Sequence, residues 1–132
     1  MHSGNLADCL AAAKAQGYVT SANGLAETGE LVNIDGYGNR VASTLYGYEK
    51  VYFVIGQNKL APNSDDALWC ARNIAGPKNA RRKKMNTSCA VKGERCYDRK
   101  SPDRICRGLV TLWAPMMDME TEMVLVDEEL GY

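Results

Sequence analysis

Short apolar runs alternate with polar, glycine-bearing corners along most of the chain, and the rhythm is clearest between residues 30 and 56. Leu31 to Ile34 reads as a strand, Asp35 to Gly38 as a tight glycine turn and Asn39 to Tyr46 as a short helix. Val51 to Ile55 follows as a second, wholly apolar strand. Strand, helix and apolar strand with glycine at each corner is the pattern of a βαβ unit. It predicts an α/β fold, a central mixed sheet flanked by helices.

The rest of the chain continues the pattern. Leu6, Cys9, Leu10 and Ala13 fall at i, i+3, i+4 and i+7, which predicts a helix over 4–16 closed by Gly17. Tyr18 to Thr20 starts a short strand that ends in the small polar residues Ser21 to Gly24, and Glu27 to Glu30 is the turn of a hairpin leading into the central stretch. Past the apolar strand, Gly56 to Lys59 forms a second polar strand end, which a shared sheet would place beside the first.

Asn63 or Ser64 caps a helix with Asp65 and Asp66 in its first turn and Ala67, Cys70, Ala71 and Ile74 on its buried face, and Gly76-Pro77 stops it. Cys70 accordingly reads as a core thiol. Ser101-Pro102-Asp103 marks a further helix start. Leu109 to Trp113 and Met123 to Val126 read as two last strands, joined closely enough to form an antiparallel pair at one side of the sheet. Met116, Met117 and Met119, between them, suit gap-filling core or an interface patch.

A length of 132 residues predicts one domain, 1–132, able to bury roughly two-thirds of its unfolded surface. Sixteen basic and sixteen acidic residues cancel, which removes the bulk electrostatic case for a nucleic-acid or anionic-membrane partner. Residues 78–95 are locally basic but lack interleaved aromatics, so they read as a solvated loop or a local anion site. No apolar run approaches the ~20 residues of a membrane span and residues 1–20 lack a signal peptide's pattern, so the expected compartment is cytoplasmic. Five cysteines without a secretory signal read as free thiols or metal ligands before disulfides.

Polar residues collect at the two strand ends and the glycine turn. Ser21, Asn23, Asn33, Asp35, Gly36, Gly38, Asn39, Arg40, Asn58 and Lys59 are the candidate ligand-binding residues, and a small anionic metabolite is the ligand they suit. Arg40 would neutralise it, the Gly38 and Asn39 amides would cradle it, and Asp35 would position it. The competing use is local: Asp35 or Asn39 caps the helix, and Arg40 pairs with a structural carboxylate. Catalytic residues are not named by the sequence. His2 is the only histidine, and no nucleophile elbow, P-loop or complete G-x-G-x-x-G is present. Acid–base work would fall to Glu27, Glu30 or Asp35.

Cys89, Cys96 and Cys106 are spaced too widely for a zinc ribbon or a ferredoxin motif. Three thiolates with a fourth ligand from elsewhere remain a candidate metal site, beside the reading of a packed, cysteine-bearing loop. No cofactor is required by the sequence.

Taken together, Thr20 to Asn23, Gly29 to Gly36, Gly38 to Ala42, Lys50-Val51, Gly56, Asn58-Lys59, Asn73 to Ala75, Pro77, Asn79-Ala80, Arg82, Cys89, Gly93, Cys96, Ser101 to Cys106 and Glu129 to Tyr132 resemble the lactate utilisation (LUD) domain family, from about residue 8 to the end. The resemblance implies a fold like the ribose-5-phosphate isomerase, glucosamine-6-phosphate deaminase and CoA-transferase superfamily, with its site at strand ends. It also implies a link to bacterial systems that oxidise L-lactate to pyruvate with iron–sulfur partner proteins. Family members usually carry a further N-terminal portion with a glycine-rich loop, and this chain begins after it, so a site needing both halves would be incomplete here. The apolar surface that portion would cover predicts homo-oligomerisation, or a non-catalytic assembly subunit that docks on redox partners. The family often shows a fourth cysteine three residues after the one matching Cys96, where this chain has Arg99.

Overall fold

The computed structural model describes residues 16–132, so all but the last residue of the helix expected over 4–16 lies outside the described residues. The strands are β1 (Gly17–Thr20), β2 (Gly24–Ala26), β3 (Leu31–Asp35), β4 (Lys50–Gly56), β5 (Leu60–Ala61), β6 (Gly108–Leu112) and β7 (Glu120–Val126). The helices are α1 (Asn39–Leu45), α2 (Ser64–Cys70), α3 (Gly76–Arg82) and α4 (Ser88–Lys92). The α/β class expected from the sequence is what forms, with the strands divided between two sheets.

One sheet is parallel, in the order β1-β4-β7; the other is mixed, in the order β5-β2-β3-β6. β4 is central in the first because it is apolar on both faces, and such a strand needs a neighbour on each side and cover above and below. Val51, Phe53 and Ile55 point into a core that also takes Ala22, Leu25 and Leu31 from the mixed sheet region and Leu112 and Met119 from further on. The other face of the mixed sheet packs against α2 through Ala26, Val32, Ala61, Ala67 and Ala71. Small residues set that spacing: a Cβ on Gly24 would lie 2.6 Å from the Ala67 carbonyl oxygen.

Several sequence expectations are corrected. Residues 31–55 do not make a βαβ unit, because β3 and β4 enter different sheets; β3 is claimed by an antiparallel hairpin with β2 and by β6. β6 and β7 are not an antiparallel pair. β6 pairs with β3, β7 runs parallel to β4, and the linker between them crosses from one sheet to the other. Met119 is buried on that crossing, Met116 packs beside it and Met117 is exposed.

Gly76-Pro77 does not stop the helix either. A widened π-helical turn, Ala71–Ala75, precedes the proline and joins α2 to α3. Such a turn absorbs the hydrogen bond that a proline cannot donate. The same change of register leaves Ile74 exposed and Cys70 half-buried. Ser101-Pro102-Asp103 makes one turn and no helix, because Arg104 folds back to donate to the Cys106 and Arg99 carbonyls. Among the described residues no helix is long and apolar enough to cross a membrane.

Candidate functional site

β1 and β4 are adjacent and parallel, so their carboxyl ends open side by side, as the two polar strand ends predict. Ser21 follows β1; Gln57–Lys59 follows β4 as a single 3₁₀ turn. That turn swings Lys59 inward. Lys59 Nζ donates to Ser21 Oγ at 3.0 Å, and the residue is only 7% exposed.

Arg40, from the first turn of α1, reaches the same place. Its Nη1 lies 3.5 Å from the Ser21 carbonyl, and its Nη2 donates to Ile34 O at 2.9 Å and to Asn23 Oδ1 at 3.1 Å. Asn23 Oδ1 also accepts the Ile34 N–H at 2.8 Å, so Asn23 is the joint between the β1 end and β3. Neither Arg40 nor Lys59 forms an ion pair among the described residues. Burial pushes the Lys59 amine below its ordinary value, and the neighbouring Arg40 guanidinium adds to the effect. Two cations therefore converge on Ser21 with no carboxylate paired to either among the described residues.

The glycine turn has mostly local duties. Asp35 accepts from Gly36 N–H at 2.8 Å and from Val41 N–H at 3.2 Å, which caps α1 from outside the helix. Gly38 has φ of 83°, closed to most side chains, whereas Gly36 is required for a different reason: a Cβ there would lie 2.6 Å from the Ile105 carbonyl oxygen. Asn39 is exposed beyond the turn. Asn33, on β3, is 2% exposed, and its Oδ1 has no hydrogen-bond partner among the described residues.

Asn58 stands apart from the cations and holds the C-terminal tail. Its Oδ1 accepts from Leu130 N–H at 3.0 Å and its Nδ2 donates to Gly131 O at 3.3 Å, while Gln57 N–H donates to Glu128 O at 3.1 Å. A Cβ at Gly131 would lie 3.7 Å from Lys59 Nζ, so the tail lies over the amine. The structure thus gives Asn58, a candidate ligand-binding residue by sequence, a role in anchoring the chain end.

The LUD domain family model matches residues 10–126 of the 132-residue chain. The chain belongs to the LUD domain family. It matches no curated protein and no solved structure. The family takes its name from lactate utilisation, and membership suggests a function related to it.

A second cluster in the LUD domain gathers the three loop cysteines. Cys89 from α4, Cys96 and Cys106 line one cavity of about 50 Å³ together with Ser101, Arg104 and Ile105. The π turn presents two groups to it: Asn73 Oδ1 accepts from Cys96 N–H at 3.1 Å, and Arg72 Nη2 lies 3.9 Å from Cys96 Sγ. Burial pushes the Cys106 thiol up, with Cys89 and Cys96 adding to it, so the three sulfurs sense one another. Among the described residues no group of three or more His, Cys, Asp or Glu side chains is arranged to hold a metal ion. Arg99, at the position of the family's frequent fourth cysteine, donates to Ser88 Oγ at 2.8 Å.

Proposed function

We propose that this LUD domain binds a small organic-acid anion, of the L-lactate type, at the carboxyl ends of β1 and β4. The observation that carries the reading is Lys59: a buried amine with a single acceptor, beside Arg40 and without a carboxylate partner among the described residues. A buried cation is costly unless a counter-charge reaches it, and a ligand carboxylate supplies one. Ser21 Oγ is a further polar atom at the site. The family setting favours a hydroxy or oxo acid over a sugar phosphate or CoA ester.

Thermal unfolding against L-lactate, other hydroxy acids, sugar phosphates and CoA esters tests this. A ligand at ~100 times its Kd stabilises by about 2.7 kcal/mol and moves the midpoint by several degrees. The expected result is a shift with small hydroxy or oxo acids that Lys59→Met abolishes. Shifts that survive Lys59→Met, or none with any organic acid, would refute the site.

A second reading is an assembly role, with homo-oligomerisation or docking on iron–sulfur lactate-oxidation proteins. It is favoured by β7, which has one strand neighbour among the described residues and exposes Met123, Val124 and Leu125. Sedimentation of the chain alone and with such a partner distinguishes it, since a monomer with no partner binding counts against it.

A further inference from the structure

The three-thiol cavity shares no lining residue with the strand-end cations. At about 50 Å³ it is far below the ~300 Å³ where metabolite pockets begin, and it opens to solvent, so a small solute can reach its wall. The charge around it is also defined: Arg99, Arg104 and Asp98 line the cavity, and Arg72 and Arg104 both pair with Asp98 at 3.2 Å. Three guanidiniums against one carboxylate, with no metal-holding group among the described residues, favour chemistry that passes through negative sulfur and oxygen.

The sulfurs are not equivalent. Cys96 Sγ is faced by two donors, Arg72 Nη2 at 3.9 Å and the Asp98 N–H at 3.4 Å. Cys89 Sγ instead lies 3.3 Å from Thr87 Oγ1. Cys106 lies beside Gly76, whose Cβ would meet its sulfur at 3.6 Å, and burial favours its protonated form. One sulfur is thus surrounded by donors, with two further thiols on the wall of the same small cavity.

We infer that Cys96, Cys89 and Cys106 form a peroxide-reactive thiol site in which Cys96 is attacked first and one of its two cavity neighbours resolves it to a disulfide. The Cys96 sulfur attacks one oxygen of hydrogen peroxide; the O–O bond breaks, Cys96 becomes a sulfenic acid, and the departing hydroxide takes the thiol proton as water. The neighbouring thiol then attacks the sulfenic sulfur, an S–S bond forms, and the second oxygen leaves with that thiol's proton as a second water. Two cysteines lose two electrons and one peroxide becomes two waters. The Asp98 N–H and Arg72 stabilise charge on Cys96 in the first step.

The test treats the reduced full chain with hydrogen peroxide, alkylates the remaining thiols and maps the peptides by mass spectrometry. The expected product is an intramolecular disulfide joining Cys96 to Cys89 or to Cys106, with Cys70 still alkylated. Cys96→Ser should abolish it, and Arg72→Met, which keeps every thiol, should slow it by roughly tenfold, the effect of losing one charge-assisted donor. Overlaid thermal unfolding of both variants and the parent confirms that they fold. The inference is overturned if the thiols are lost at the same rate in Cys96→Ser, if the disulfide joins Cys70 or two chains, or if the folded chain is as inert as its alkylated form. Zinc co-purifying in one-to-one ratio and released by Cys96→Ser would also overturn it.

Discussion

Replacing Arg40 by methionine should destabilise the fold, because this side chain is built into the backbone of the site. Its Nη2 makes two well-formed bonds, at 2.9 Å to Ile34 O and 3.1 Å to Asn23 Oδ1, whereas the 3.5 Å approach to Ser21 O is at the limit of a hydrogen bond. Bonds from a charged donor contribute about 1.5–3 kcal/mol each, and Arg40 is half-buried, so water partly replaces what is removed. Two such bonds, taken at the lower end, give a loss of about 3 kcal/mol. For a chain of this size that corresponds to a fall in Tm of roughly 10 °C.

Urea unfolding followed by two probes is the assay, with the midpoint moving and the slope unchanged if the transition stays two-state. A loss below about 1 kcal/mol, comparable to a surface change, would refute the structural assignment and return Arg40 to the role of a free anion ligand.

Lys59→Met should behave oppositely. The folded-state value of the amine lies below its ordinary 10.5, so between the two the unfolded chain binds more protons and wild-type stability rises with pH. The variant should therefore match or exceed wild type near neutral pH, and its advantage should shrink as pH approaches 10.5; urea unfolding of both at pH 7 and pH 10 without organic-acid buffers measures it. A wild-type advantage at neutral pH would show that Lys59 is satisfied within the fold. Gly24→Ala should cost about 1–3 kcal/mol, since the new Cβ meets Ala67 backbone atoms at 2.6 Å and 3.2 Å and β2 or α2 must move; an unchanged midpoint would contradict that packing.

Local elements were legible because their causes are local. Short apolar runs between polar corners located β1, β3, β4, β6 and β7, the Asn63 side chain does accept the Asp66 N–H, and the turn before β3 closes the expected hairpin. Pairing was not legible, because a strand carries no label for its neighbour. Val51 to Ile55 read as a buried strand in any order, and only three-dimensional competition sends β3 to β6 and leaves β4 for β7. The π turn had no signal either. Gly-Pro ends most helices, and it fails to here because the preceding turn widens.

The candidate site was legible as a set of residues and illegible as a division of labour. Arg40 looked like the anion's partner because it follows a glycine turn, yet an arginine there also faces the carbonyls that the turn leaves open, and its planar fork satisfies two acceptors at once. Lys59 was one candidate among ten, with nothing in its sequence to mark its burial. Its ammonium has three donors and, among the described residues, one is used, on Ser21 Oγ, in a place where little water reaches. Those unspent donors, more than the guanidinium, call for a ligand's oxygen. The tail clasped by Asn58 lies over that position, so an incoming acid has to pass or displace Leu130 and Gly131. Asn58→Ala should thus leave the cations in place and speed ligand association, a result that separates access to the site from its affinity.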